Sequence, residues 1–128
     1  MAAKIDLQKE ILTELNEYSS KIINGTEFII AELRSGRKDD TDEVFNLVIQ
    51  GINWVIEVFN NCEDIINRDT EYVDKSKMAQ AVSRLGAVLR ERDDIKIAAC
   101  LEVDFLPFLR NMGEISVRLE EICKQNEE

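Results

Sequence analysis

Apolar or small residues recur at Ile11, Leu15, Tyr18, Ile22, Gly25, Ile29 and Leu33, in steps of three and four, a spacing that gathers them on one side of an α-helix. It predicts a first helix over about 4–35 that continues through Asn24-Gly25, where the missing side chain lets a neighbouring backbone approach. Ser35-Gly36-Arg37-Lys38-Asp39-Asp40 ends the period. Gly36 suits a left-handed C-terminal cap, and the basic pair lies near the negative end of the helix dipole. Asp40-Thr41-Asp42-Glu43 then places a capping oxygen three residues before a glutamate and starts a second helix.

That helix, over about 42–67, carries Val44, Val48, Gly51, Val55, Val58, Cys62 and Ile65 along its seam. Asn46, Gln50, Asn53, Glu57, Asn60 and Asp64 form a narrow polar stripe opposite. A polar connection leads to a short third helix over about 75–91, capped by Asp74 or Ser76, with Met78, Ala79, Val82, Leu85, Gly86 and Leu89 facing inward. A fourth helix over about 94–124 places Ala98, Leu101, Phe105, Phe108, Met112, Ile115, Leu119 and Ile122 on a heptad seam. Pro107 interrupts its hydrogen-bond ladder and clashes with the carbonyl of Val103, so a kink is expected near 103–106, and the polar tail beyond Lys124 is expected to fray. Short connections make neighbours antiparallel. The pattern predicts one all-α domain over 1–128, an up-down four-helix bundle with a shorter third helix and a fourth kinked at Pro107.

Composition narrows the function. Twenty-six acidic residues against 16 basic ones give a net charge of −10, which repels phosphate backbones and argues against nucleic-acid binding. The charged start of the chain is unlike a signal peptide, which points to a cytoplasmic protein. The second helix is apolar enough to raise the question of a membrane span, but four amides and two carboxylates along one side are costly against lipid. Cys62, Cys100 and Cys123 are odd in number and widely separated, so they read as reduced, buried thiols without a disulfide or zinc role. No histidine is present, which removes the commonest general base and the commonest transition-metal ligand, and with them the Glu-x-x-His di-iron sites of helical bundles.

The remaining motifs are weak. Glu14-Leu15-Asn16-Glu17 has the Glu-x-x-Glu spacing that sets two carboxylates on one helix side. It resembles the metal-binding pair of the helical nucleotide pyrophosphohydrolases, which add a second acidic motif on the next helix. Here that motif reads Glu43-Val44-Phe45-Asn46 and lacks its final carboxylate. Asn67-Arg68-Asp69-Thr70-Glu71 starts like a calcium loop, but Tyr72 stands where the glycine and Met78 where the bidentate glutamate would be. Asn24-Gly25-Thr26 matches a glycosylation sequon in a helix of a chain read as cytoplasmic. Glu102, Asp104 and Arg110 flank Pro107 and read as solvated charges on a bent helix. No catalytic residue, metal site or cofactor is expected.

The second helix has more apolar surface than its seam requires, with Phe45, Ile49, Ile52, Ile56 and Phe59 beyond it. Either flanking helices of the same chain cover these five residues, or they are an interface for a protein partner. The leading expectation is a non-enzymatic interaction module, an adaptor, chaperone or assembly subunit, using apolar surface of the second and fourth helices. Its partner would be a second copy, as a homodimer, or a basic amphipathic helix. Small acidic helical bundles that serve as export or assembly chaperones are an analogy at the level of fold and charge. Two alternatives remain: a ligand-binding sensor with a pocket lined by Trp54, Phe105 and Phe108 at the Pro107 kink, and a magnesium-dependent nucleotide hydrolase using Glu14, Glu17 and Glu43.

Overall fold

The computed structural model describes the backbone of residues 2–68, 71 and 73–126 and the side chains of 7–68, 71 and 73–118. Cys123, Leu119 and Ile122 therefore lie outside the described side chains, as do Asp69, Thr70 and Tyr72, and the end of the polar tail lies outside the described backbone. The chain is all-α, a bundle of four helices, with no strand among the described residues. They are α1 (Ala2–Ser35), α2 (Thr41–Ile66), α3 (Lys75–Glu91), and a fourth made of α4 (Asp94–Cys100), a π-helical turn (Leu101–Phe105) and α5 (Leu106–Asn126).

The helix ends follow from local chemistry. Helix α1 continues through Asn24-Gly25 and stops at Gly36, whose φ of +107° is a conformation that L side chains avoid. The Gly36 amide donates to the Glu32 carbonyl at 3.0 Å. Asp74 caps α3 by accepting from the amides of Ser76 and Lys77, and Asp93 caps α4 in the same way from Ile95 and Lys96. The expected cap on α2 does not form, since the Asp40 side chain makes no capping bond. Its neighbour Thr41 closes the turn instead, its fully buried hydroxyl accepting from the Lys38 amide at 2.8 Å.

The irregularity expected at Pro107 takes the form of the π-helical turn, in which the Leu106 amide donates to the carbonyl of Leu101, five residues back. Pro107 has no amide to offer, and one inserted residue lets the helix continue past the gap in its ladder.

Contacts along the helices fix their directions. Helix α1 meets α2 at Gln8 with Asn61, at Ile22 with Gly51 and at Gly25 with Val48, so the two run antiparallel. It meets the fourth helix at Ser19 with Gly113, Glu27 with Arg110, and Arg34 with Glu102, again antiparallel. Helix α3 runs back along the fourth helix through Arg84 with Asp104 and Glu91 with Lys96. At one end Arg37 ties three helices together, bonding Asp42 and, at 2.8 Å, Asp94, with its guanidinium over the ring of Phe45.

Helix α2 thus lies against α1 and the fourth helix, while α3 leans on the fourth helix. Leu12, Leu15, Ile29, Ile52, Phe59, Ile97, Leu101, Phe105 and Met112 are fully buried between them. The polar stripe of α2, from Asn46 to Asp64, is exposed throughout. Among the described residues no helix is long and apolar enough to cross a membrane.

Candidate functional site

The apolar arc of α2 is covered from within the chain. Phe45, Ile52 and Phe59 are buried, and Ile49 and Ile56 are partly buried against the same core. Of the two alternatives, cover by flanking helices of the same chain is the one seen, and these five residues do not form an open interface for a partner. The reason is one of phase: the buried apolar residues of α2 are Phe45, Val48, Ile52, Val55, Val58, Phe59, Cys62 and Ile66, which keep Val48, Val55, Val58 and Cys62 of the seam read from spacing alone but centre on a line turned from it by roughly 50°. A helix with neighbours on two sides buries a broad arc. Phe59 meets Phe108 of the fourth helix edge to face, with ring centroids 6.4 Å apart.

What the same rotation exposes is the Leu47 side of α2. Leu47 is 60 % exposed, and Tyr18 of α1, expected in the seam, is 47 % exposed. Tyr18 and Trp54 stand edge to face at 6.4 Å, and the ammonium of Lys21 lies 5.5 Å from the tyrosine ring centre. Two depressions along the α1–α2 seam share Lys21, Ile22, Leu47 and Gly51 and form one shallow groove. Glu14, Tyr18 and Trp54 lie at one end, Gly25 and Val44 at the other. Gly51 allows this close contact, because a Cβ there would stand 3.3 Å from the side chain of Ile22. From Glu14 to Gly25 the groove follows about 16 Å of helix. Of the charged residues, Glu14 and Lys21 line it, and both are exposed.

A second concavity of about 460 Å³ opens between α3 and the π-helical turn. Phe105 and Phe108 line it, with Val73, Met78, Ala81 and Pro107. Trp54, grouped with these two phenylalanines by sequence, lies on the α1–α2 groove instead, so the structure brings together two of the three expected pocket residues. Asp104 stands on its wall, bonded by Arg84 through two contacts of 2.9 Å and by the Cys100 thiol at 3.4 Å. The guanidinium of Arg84 holds the Asp104 carboxyl below the usual aspartate range. Burial, followed by that carboxylate, pushes the Cys100 thiol up to about 11, and burial does the same at Cys62.

Glu14, Glu17 and Glu43 are all exposed. Among the described residues no cluster of three or more histidine, cysteine or acidic side chains is arranged to hold a metal ion.

The geometry thus defines a four-helix bundle with an aromatic groove on one face and a cavity on another. Residues 10–115 match the family described as Domain of unknown function (DUF8042), and the chain belongs to that family. No curated protein and no solved structure matches it.

Proposed function

We propose that this protein is a non-enzymatic interaction module that docks a basic amphipathic helix in the groove between α1 and α2. The observation that carries this reading is the half-exposed Tyr18 set against the partly buried Trp54 beside the exposed Leu47, in a groove floored by Gly51. Tyrosine and tryptophan dominate binding energy at protein interfaces because they bring large, rigid, amphipathic surfaces. A helix presenting anchors at i, i+3 or i+4 and i+7 spans about 10 Å, which the groove accommodates. The chain's net charge of −10 favours a cationic partner. A second copy would bring a net charge of −10 of its own, which disfavours a homodimer.

Fluorescence of Trp54, the sole tryptophan, tests the reading directly. An 18-residue helical peptide with leucines at i, i+3, i+4 and i+7 and lysines elsewhere should bind saturably and shift the emission. Its glutamate counterpart should bind at least tenfold more weakly, and Leu47→Asp should abolish the response. Equal binding of the two peptides, or an unchanged response in Leu47→Asp, would contradict the proposal. So would a stable dimer that Leu47→Asp dissociates, since the face would then be occupied by a second copy.

A further inference from the structure

The cavity beside the π-helical turn has a chemistry of its own, separate from the groove on α1 and α2. Its volume of about 460 Å³ falls within the ~300–1,000 Å³ of small-molecule sites. The interior wall is apolar, made by Val73, Met78, Ala81, Phe105 and Phe108. Proline at 107 and the inserted residue of the π turn shape one side, and π turns recur at functional sites because they break the regular packing of a helix.

The polar groups at the mouth are unequally committed. Asp104 is taken by Arg84 and Cys100, and Asp74 by the amides that it caps. Lys77 and Gln80, both exposed and both lining the cavity, make no side-chain hydrogen bond or ion pair among the described residues. The free groups at the mouth therefore include a cation and an amide donor, while both carboxylates are already matched. The overall charge of −10 acts weakly here, since a field from charges farther than ~10 Å is screened at about 0.1 M salt.

We propose that this cavity binds a small single-chain amphiphile, its chain against Met78, Val103, Pro107 and Phe108 and its anionic head group at Lys77 and Gln80. A phenylalanine ring and a flexible methionine accept a chain without a fixed shape. The ammonium and the amide supply the charge-assisted hydrogen bonds that a carboxylate requires on leaving water.

Decanoate, kept below its micelle concentration, is the probe, read by calorimetry and by amide chemical shifts of the full-length chain. The expected result is saturable one-to-one binding with shifts concentrated in residues 77–84 and 103–111. Lys77→Glu should weaken it about tenfold, and neutral decanol should bind about tenfold more weakly than decanoate to the unaltered protein. Gln80→Trp, at an exposed position that leaves the core intact, should fill the mouth and abolish binding while circular dichroism shows an unchanged fold. No saturable binding overturns the proposal, as do equal binding of decanol and decanoate or shifts centred on Tyr18, Leu47 and Trp54. Undiminished binding in the folded Gln80→Trp protein would overturn it as well.

Discussion

Arg37 and Asp94 form a paired contact at the end of the bundle, the guanidinium Nε lying 2.9 Å and its Nη2 2.8 Å from the carboxylate oxygens. Arg37 follows α1 and Asp94 opens the fourth helix, so the pair clamps two elements that are 57 positions apart in the chain. The same guanidinium also bonds Asp42 at the start of α2. Two backbone connections of the fold thus meet at one cation.

This arrangement and the Arg84–Asp104 pair contribute to the acid sensitivity, together with the exposed Arg34–Glu102 pair. Hydrogen bonding to Arg37 lowers the titration of Asp94, and hydrogen bonding to Arg84 lowers that of Asp104. Because the folded carboxyls titrate below their unfolded value of about 3.9, their stabilisation is complete above that pH and is lost as pH falls through the folded values. Denaturant melts between pH 7 and pH 2 should show stability falling below about pH 4. The double variant Asp94→Asn, Asp104→Asn should be less stable at pH 7 and should lose part of that slope. Asp94→Asn alone should cost about 1 kcal/mol, the upper range for a partly exposed ion pair. A double variant with an unaltered acid slope would show that other groups govern it.

The two faces of α2 should respond oppositely to substitution. Phe59 is fully buried, so Phe59→Ala should cost about 3–5 kcal/mol, measured by urea denaturation. Leu47 is 60 % exposed, and Leu47→Asp should change stability by no more than about 0.5 kcal/mol while removing the affinity for the basic peptide. A large stability loss at Leu47 would mean that its side chain supports the fold.

The contrast shows what the sequence revealed and where it failed. Helix number, the π-turn region and the caps Asp74 and Gly36 were legible because each rests on local backbone chemistry. The polar stripe of α2 was legible because amides and carboxylates avoid the core. The identity of the open face was not. An apolar stripe spanning most of the circumference fixes no phase, and the choice between Val44–Gly51 and Phe45–Ile52 depends on where α1 and the fourth helix lie. The signal that would have found the groove was present: Tyr18 and Trp54 are amphipathic aromatics beside Glu14, Lys21 and Gln50, the composition of a surface that is half wet. Residue type alone groups Trp54 with Phe105 and Phe108 and carries no information on which helix faces which.

The glycines separate two energetic roles. Gly86 sits inside α3 with only the far end of Arg90 near a prospective Cβ, at 3.9 Å. Gly86→Ala should therefore stabilise the protein by about 0.5–1 kcal/mol, through helix propensity. Gly36, at φ +107°, should behave in the opposite sense, with Gly36→Ala costing about 1–2 kcal/mol. Thermal melting of the two variants checks both signs, and a stabilising Gly36→Ala would refute the left-handed cap.

The thiols offer a test of packing that needs no ligand. Cys62 is fully buried and Cys100 nearly so, and both are held up at about 11 by burial, Cys100 with the added charge of Asp104. At pH 7.5 each should be almost entirely protonated, and the thiolate is the reactive form. Alkylation by iodoacetamide followed by peptide mass spectrometry should modify both at least a hundredfold more slowly in the native protein than in urea. Asp104→Asn should speed the reaction at Cys100 and leave Cys62 unchanged, because it removes the charge and hydrogen bond that favour the protonated thiol at that one position. Rapid native labelling of Cys100 in the unaltered protein would show that the π-helical turn opens readily, and acceleration at both cysteines in the variant would mean that Asp104 acts on the stability of the whole bundle instead.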